Sequence, residues 1–196
     1  LIVHPPEIGT ALLHTWMETI HGYPGREDQE TYQANLLAQQ GFSRSRIGIE
    51  KALAGVTASS YDMLRDALPH AELVDGSGFV STVKITKSQK EIEYLREAAR
   101  ITDAGILAAI EAAGAGKTDN DVAAAGNQAL FEAGSEYMCL SPIVTSGRRS
   151  GILHSTHKRI PLAKGDSLCM EFGASFQRYT SPMMRTVSIG KPEPDI

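Results

Sequence analysis

The chain is short of cysteine, of aromatic residues and of long apolar runs, and each shortage excludes something. Cys139 and Cys169 are its only two cysteines. Their spacing makes neither a metal-binding pair nor a disulfide framework, so reduced thiols of a cytoplasmic protein are expected. No apolar run approaches the ~18 residues of a membrane span. The opening LIVHPPEIGT lacks the cationic start and apolar stretch of a secretory signal. Neither sign of charge dominates: 19 Lys and Arg stand against 23 Asp and Glu, for a net charge of −4. That balance gives no reason to expect nucleic acid or an anionic membrane as partner. No internal repeat or low-complexity segment is present. What remains is ordinary globular composition, 42% hydrophobic and 21% charged over 196 residues. This is enough for one large domain or two small ones with packed cores.

The chain reads as the middle of a longer one: Leu1-Ile2-Val3 has the pattern of a strand entered midway, and Gly190 to Ile196 that of a loop leading onward. Up to about Val83, strand-like and helical runs alternate. Gln29 to Gln40 suits a helix with Gly41 as its C-terminal cap. Arg46 to Glu50 suits a short strand. Val56, Met63, Leu64 and Leu68 fall at helical spacing before Pro69, and Ala71 to Asp75 is a second strand. The alternation predicts an α/β amino-terminal domain over residues 1–84 with a mostly parallel sheet. His14, Trp16, Tyr23 and Tyr32 are read as surface or core packing.

A boundary follows at Val83 to Ser88. Ser88 and Glu91 form a capping box, the hydroxyl taking a free N–H of the first turn while the carboxylate reaches back to the cap. Ile92, Leu95, Ala99, Ile106 and Ile110 mark one face of a long helix ending near Gly114. Thr118 with Asp121 opens another, carrying Val122, Ala125, Ala129 and Leu130 and ending at Gly134, to which no chemistry is assigned. Pro142 to Gly147 is a strand and turn.

The stretch from His154 to Thr186 carries the functional signal. Lys164-Gly165-Asp166 is a tight turn. Leu168, Met170 and Phe172 then alternate with Ser167, Cys169, Glu171 and Gly173, the period of a half-buried strand. Glu171 shares its face with small residues. A reversal over Ser175 to Gln177 returns Tyr179 to Ile189 antiparallel, with Glu171 and Pro182 expected opposite each other on one side.

His154, Gly165-Asp166, Glu171-x-Gly173-Ala174, Tyr179 and Arg185-Thr186 resemble the pattern of the pita-bread hydrolases: methionine and Xaa-Pro aminopeptidases, prolidase, creatinase and ectoine hydrolase. The Ile-x-Lys-Ser-x-x-Glu-Ile start at Ile85 resembles the opening of their catalytic domain. The resemblance implies that residues 85–196 are the first half of an α+β pita-bread catalytic domain. The relatives' two aspartate metal ligands are Glu171 and Pro182 here. Proline has no donor atom for a metal, and a dinuclear centre needs several oxygen ligands held together. The form of the strand is closest to the metal-independent branch, ectoine hydrolase and creatinase, so neither metal nor other cofactor is expected.

His154, eleven positions before Gly165 as in creatinase, is expected to be the general acid/base, because an imidazole exchanges a proton near neutrality. Glu171 is expected as a catalytic carboxylate facing a cationic amidine. Arg148 and Arg149 read either as a clamp on a substrate carboxylate or as a solvated loop. Tyr179 is a candidate substrate contact whose other reading is packing. His157 reads as a solvated neighbour and Arg185 as an ion-pair strut beneath the sheet. The resemblance implies a small-molecule substrate, further catalytic residues after Ile196 and a homodimer. Two other readings stand: an Xaa-Pro peptidase with a reduced metal site, and a binding module that has lost catalysis.

Overall fold

In the computed structural model, which describes residues 1–25, 29–52 and 55–192, the strands of the first unit, Leu1–Thr86, pair two by two. Its elements are β1 (Ile2–Val3), α1 (Ile8–His14), β2 (His21–Gly22), α2 (Gln29–Gln39), β3 (Arg46–Ile49), α3 (Ala58–Ala67), β4 (Glu72–Asp75) and α4 (Phe79–Ile85). β1 pairs with β2 and β3 with β4, each parallel across a helix, as parallel pairing requires a crossover. The single, mostly parallel sheet expected here is therefore two separate two-stranded pairs among the described residues. Gly41, at φ +86°, closes α2: the Phe42 N–H donates to the Leu37 carbonyl (2.9 Å) and the Gly41 N–H to that of Ala38 (3.0 Å). Thr57 caps α3 by accepting the Ser60 N–H at 3.0 Å. The core is small, Ala34, Leu64 and Leu68 against Leu37, Ile47, Ile49 and Leu73.

The second unit, Lys87–Ile196, holds α5 (Gln89–Ala112), α6 (Asp119–Glu132), β5 (Ile143–Ser146), β6 (Ser167–Phe176) and β7 (Tyr179–Ser188). Both capping boxes form. Ser88 Oγ accepts the Glu91 N–H and Glu91 accepts the Ser88 N–H (2.7 Å), while Thr118 and Asp121 do the same at α6. The buried face of α5 is Ala98, Ile101, Thr102, Gly105, Ile106 and Ala109. Of the stripe read from the sequence only Ile106 is central; Ile92, Leu95, Ala99 and Ile110 flank it half-buried. α6 buries Val122, Ala123, Gly126 and Leu130. A β-carbon at Gly105 would meet Leu130, and one at Gly126 the Phe172 ring, so these two glycines set how closely the helices approach each other and the sheet.

β6 is the middle strand, antiparallel to β5 on one edge and β7 on the other. Leu168, Met170, Phe172 and Ala174 point into the core shared with α5 and α6. Thr102 of α5 stitches the hairpin from behind: its hydroxyl donates to the Ser181 carbonyl (2.8 Å) and accepts the Ala174 N–H (2.9 Å). The reversal lies at Gln177-Arg178, with φ of 50° and 66°, the left-handed pair of a two-residue type I′ hairpin. It was expected one position earlier. Lys164-Gly165 is a turn as read, though the Asp166 carboxylate accepts the N–H of Ala163 behind it (2.9 Å). The loop expected over 190–196 is described only as far as Pro192; residues 193–196 lie outside the described residues. No described helix is long and apolar enough to cross a membrane.

Candidate functional site

Parity sorts the hairpin into two faces. The even positions of β6 are buried against the helices. The odd positions, Cys169, Glu171 and Gly173, point away from them, and their partners across β7 are Thr186, Met184 and Pro182. On β5, Thr145 stands beside Cys169 and Ile143 beside Glu171. Pro182 is thus not opposite Glu171, as expected, but opposite Gly173, on the same face and one rung diagonal. Moving the turn centre by one residue moves every partner by two, so the face is kept and the rung is not.

A third segment closes this face. Residues 136–139 continue the β5 edge of β6: the Glu136 N–H donates to the Ser175 carbonyl (3.0 Å), and the Cys139 N–H to that of Gly173 (2.9 Å). The Cys139 sulfur thereby fills the space in front of Gly173 that a β-carbon would need, and Pro182 Cα and Cβ stand 3.0 and 3.1 Å from the same point. Burial pushes the Cys139 thiol above its ordinary pKa, and the negative charge of Glu171 pushes it further in the same direction. Sequence reading missed Cys139, because pairing between residues 139 and 173 leaves no local signature.

His154 is exposed, in the turn after the short 3-10 helix Gly147–Gly151, at φ +57°. No hydrogen bond or ion pair joins it to Glu171 among the described residues. Arg148 is exposed on that 3-10 helix. Arg149, read either as half of a substrate clamp or as a solvated loop residue, has partners within the fold. Its guanidinium meets the fully buried Asp119 at 3.3 Å, the Ser155 hydroxyl at 3.2 Å and the Thr156 carbonyl. Asp119, the first residue of α6, is the second group missed: an acidic residue next to a helix cap reads as a dipole partner, and Arg149 lies 30 positions away.

Tyr179, a candidate substrate contact whose other reading is packing, lies on the helix side of the hairpin, the face opposite Glu171. It pairs with Phe176, on the helix side, and its hydroxyl donates to Glu91 at 3.0 Å. That bond raises the Tyr179 pKa. Arg185 is exposed and donates to the Met184 carbonyl (2.8 Å), not to a carboxylate as a strut would. His157 is half-buried, not solvated, with its Nδ1 shielded from water and without a hydrogen-bond partner among the described residues.

The donor set tests whether these residues suit a metal. Around Glu171 stand Met184, Ile143, Gly173 and Pro182, none with a hard oxygen donor in its side chain, so the Glu171 carboxylate is the single one in this set. Among the described residues no three His, Cys, Asp or Glu side chains gather as a metal site. The residues present do not fit a dinuclear centre.

Two helices lie behind an antiparallel hairpin whose open face carries the Glu171 carboxylate, the arrangement implied by the resemblance to the pita-bread hydrolases. The crystal structure of X-Pro aminopeptidase from Thermotoga maritima MSB8 matches 99% of this chain, and 52% of that one, with a TM-score of 0.87 at 23% identity, a likeness of fold. The sequence profile of metallopeptidase family M24 matches residues 93–196, and the chain belongs to that family. Xaa-Pro dipeptidase of Pyrococcus horikoshii is 33% identical over 113 residues, covering 58% of this chain and 32% of that protein. Ectoine hydrolase of Halomonas elongata is 28% identical over 200 residues, covering 93% of this chain and 50% of that protein. The chain spans half the length, or less, of these relatives.

Proposed function

We propose that the chain carries part of the active site of a C–N bond hydrolase that acts on a small amidine or amide, of the ectoine or creatine kind, without a dinuclear metal centre. The observation that carries this reading is Pro182 on the Glu171 face, where the relatives' pattern has a bridging aspartate, with the Cys139 sulfur packed in front of the same rung. The likeness to ectoine hydrolase over 93% of the chain supports it. In this reading His154 takes a proton from water as the water oxygen attacks the amidine carbon. It returns that proton to the nitrogen as the C–N bond breaks. Glu171 faces the delocalised cation and Arg148 the substrate's anionic group. The whole protein is proposed to act as a homodimer.

The likeness to Xaa-Pro dipeptidase favours a second reading, a dipeptidase that draws its metal ligands from elsewhere. Turnover of the complete protein on ectoine, creatine and Xaa-Pro dipeptides, with and without chelator, separates the two. Amidine or amide cleavage indifferent to chelator and lost in His154→Ala supports the first. Dipeptide cleavage abolished by chelator supports the second, and full activity of His154→Ala removes the acid/base role.

A further inference from the structure

We infer that Asp119 and Arg149 are positioning residues that hold the His154 imidazole in place; the inference rests on the acid/base role proposed for His154. His154 has no side-chain bond of its own among the described residues and sits in the left-handed region, which a non-glycine residue keeps only where its flanks impose it. Arg149 imposes both flanks. Before His154, the Arg149 carbonyl accepts the Ile152 N–H at 3.0 Å and closes the 3-10 turn. After it, the Arg149 guanidinium holds the Ser155 hydroxyl and the Thr156 carbonyl. One residue thus holds both flanks of the histidine, by its backbone carbonyl before it and by its guanidinium after it.

Asp119 anchors that side chain and the strand of loop beyond it. Its Oδ2 accepts from Arg149 Nη1 (3.3 Å) and from the Lys158 N–H (3.0 Å), and its Oδ1 from the Ile160 N–H (2.9 Å). Its own N–H donates to the Ile160 carbonyl at 3.0 Å. The neighbouring Asn120 Oδ1 accepts the Arg159 N–H at 2.7 Å. Asp119 is 0% exposed, so its charge is compensated by one guanidinium and two backbone N–H groups, and loss of either partner leaves a buried charge unpaired. These bonds run to the backbone of the loop that follows His154, not to core side chains. What they fix is the path of that loop.

The test uses the full-length protein with Asp119→Asn, Arg149→Lys and, as a control, Asp121→Asn, which loosens the same helix start through its capping box and whose side chain bonds Thr118 and not the 158–160 backbone. The six histidines are labelled with carbon-13, and the His154 imidazole is assigned with His154→Gln. Asp119→Asn and Arg149→Lys are expected to shift and broaden the His154 resonance and to speed exchange of the Lys158 and Ile160 amides; Asp121→Asn is expected to do neither. On a turned-over substrate, kcat is expected to fall about tenfold or more, as misplacement of a reacting group does, with KM within about twofold. Arg149→Lys keeps the charge and is read alone should Asp119→Asn not fold. An unmoved His154 resonance, or a kcat loss in Asp121→Asn equal to that in Asp119→Asn, overturns the inference. Loss of activity in His154→Gln with wild-type kcat in Asp119→Asn overturns it while leaving the acid/base reading intact; wild-type activity in His154→Gln overturns that reading instead.

Discussion

The sulfur of Cys139 occupies the space that a β-carbon on Gly173 would need. Glycine is therefore required at 173 by a close approach and not by backbone angle, and the residue that imposes it comes from a segment 34 positions earlier in the chain, 173 less 139.

Gly173→Ala is expected to destabilise the second unit by about 1–3 kcal/mol, the range for overpacking a filled site. Cys139→Ala on the same background removes the sulfur and should recover much of that loss, leaving the proline contacts at 3.0 and 3.1 Å. Denaturant unfolding of the single and double variants measures it. Losses that simply add would show that the sulfur is not the obstacle.

Alkylation of Cys139 reports on Glu171. Burial and the Glu171 charge both hold the thiol protonated, and only the thiolate reacts. In a Cys169→Ala background, the rate of iodoacetamide labelling near pH 8 should rise on Glu171→Gln, because one of the two causes is removed. An unchanged rate would place the carboxylate too far from the sulfur to act on it.

Thr102→Val keeps the shape of a fully buried side chain and removes its hydroxyl. The Ala174 N–H and the Ser181 carbonyl, which face each other across the hairpin, then lose the hydroxyl that both of them bond. An unsatisfied buried group costs about 1–3 kcal/mol, so the midpoint of denaturant unfolding should fall by a matching amount with an unchanged slope. Wild-type stability would mean that the two groups pair with each other once the hydroxyl is gone.

Acid should loosen both long helices at their first turns. Glu91 is held below its ordinary pKa first by the Ser88 backbone N–H, then by the Ser88 and Tyr179 hydroxyls. Asp121 is held low by the Thr118 backbone N–H and hydroxyl. A carboxylate whose native pKa lies below its unfolded value stabilises the fold above the unfolded value, about 4.3 for Glu and 3.9 for Asp. That contribution is lost as pH falls through the native value. Melting temperature should therefore decline below about pH 4, and the decline should be shallower in Glu91→Gln or Asp121→Asn. Parallel curves for wild type and variants would contradict the assignment.

Much of this chain was legible because it is decided within a few residues. Ser88 with Glu91, Thr118 with Asp121, and Gly41 after α2 each close a helix end by bonds that span no more than five positions, and the period of β6 follows from side chains alternating about one strand. The two-faced character of the hairpin was legible for the same reason. Its rung was not: turns centred one residue apart preserve the same alternation, and only the left-handed pair at Gln177 and Arg178 selects between them.

The sequence by itself determined the capped ends of α2, α5 and α6, which hairpin face carries Glu171, and that a proline stands where related chains have a metal-binding oxygen. Tertiary structure decided who meets whom: Asp119 with Arg149 across 30 positions, Tyr179 with Glu91 across 88, and Cys139 over Gly173. The reason is physical. A cap or a period is an interaction between neighbours along the chain, whereas a buried ion pair or a filled cleft depends on how whole elements pack, and no short window of residues encodes that distance.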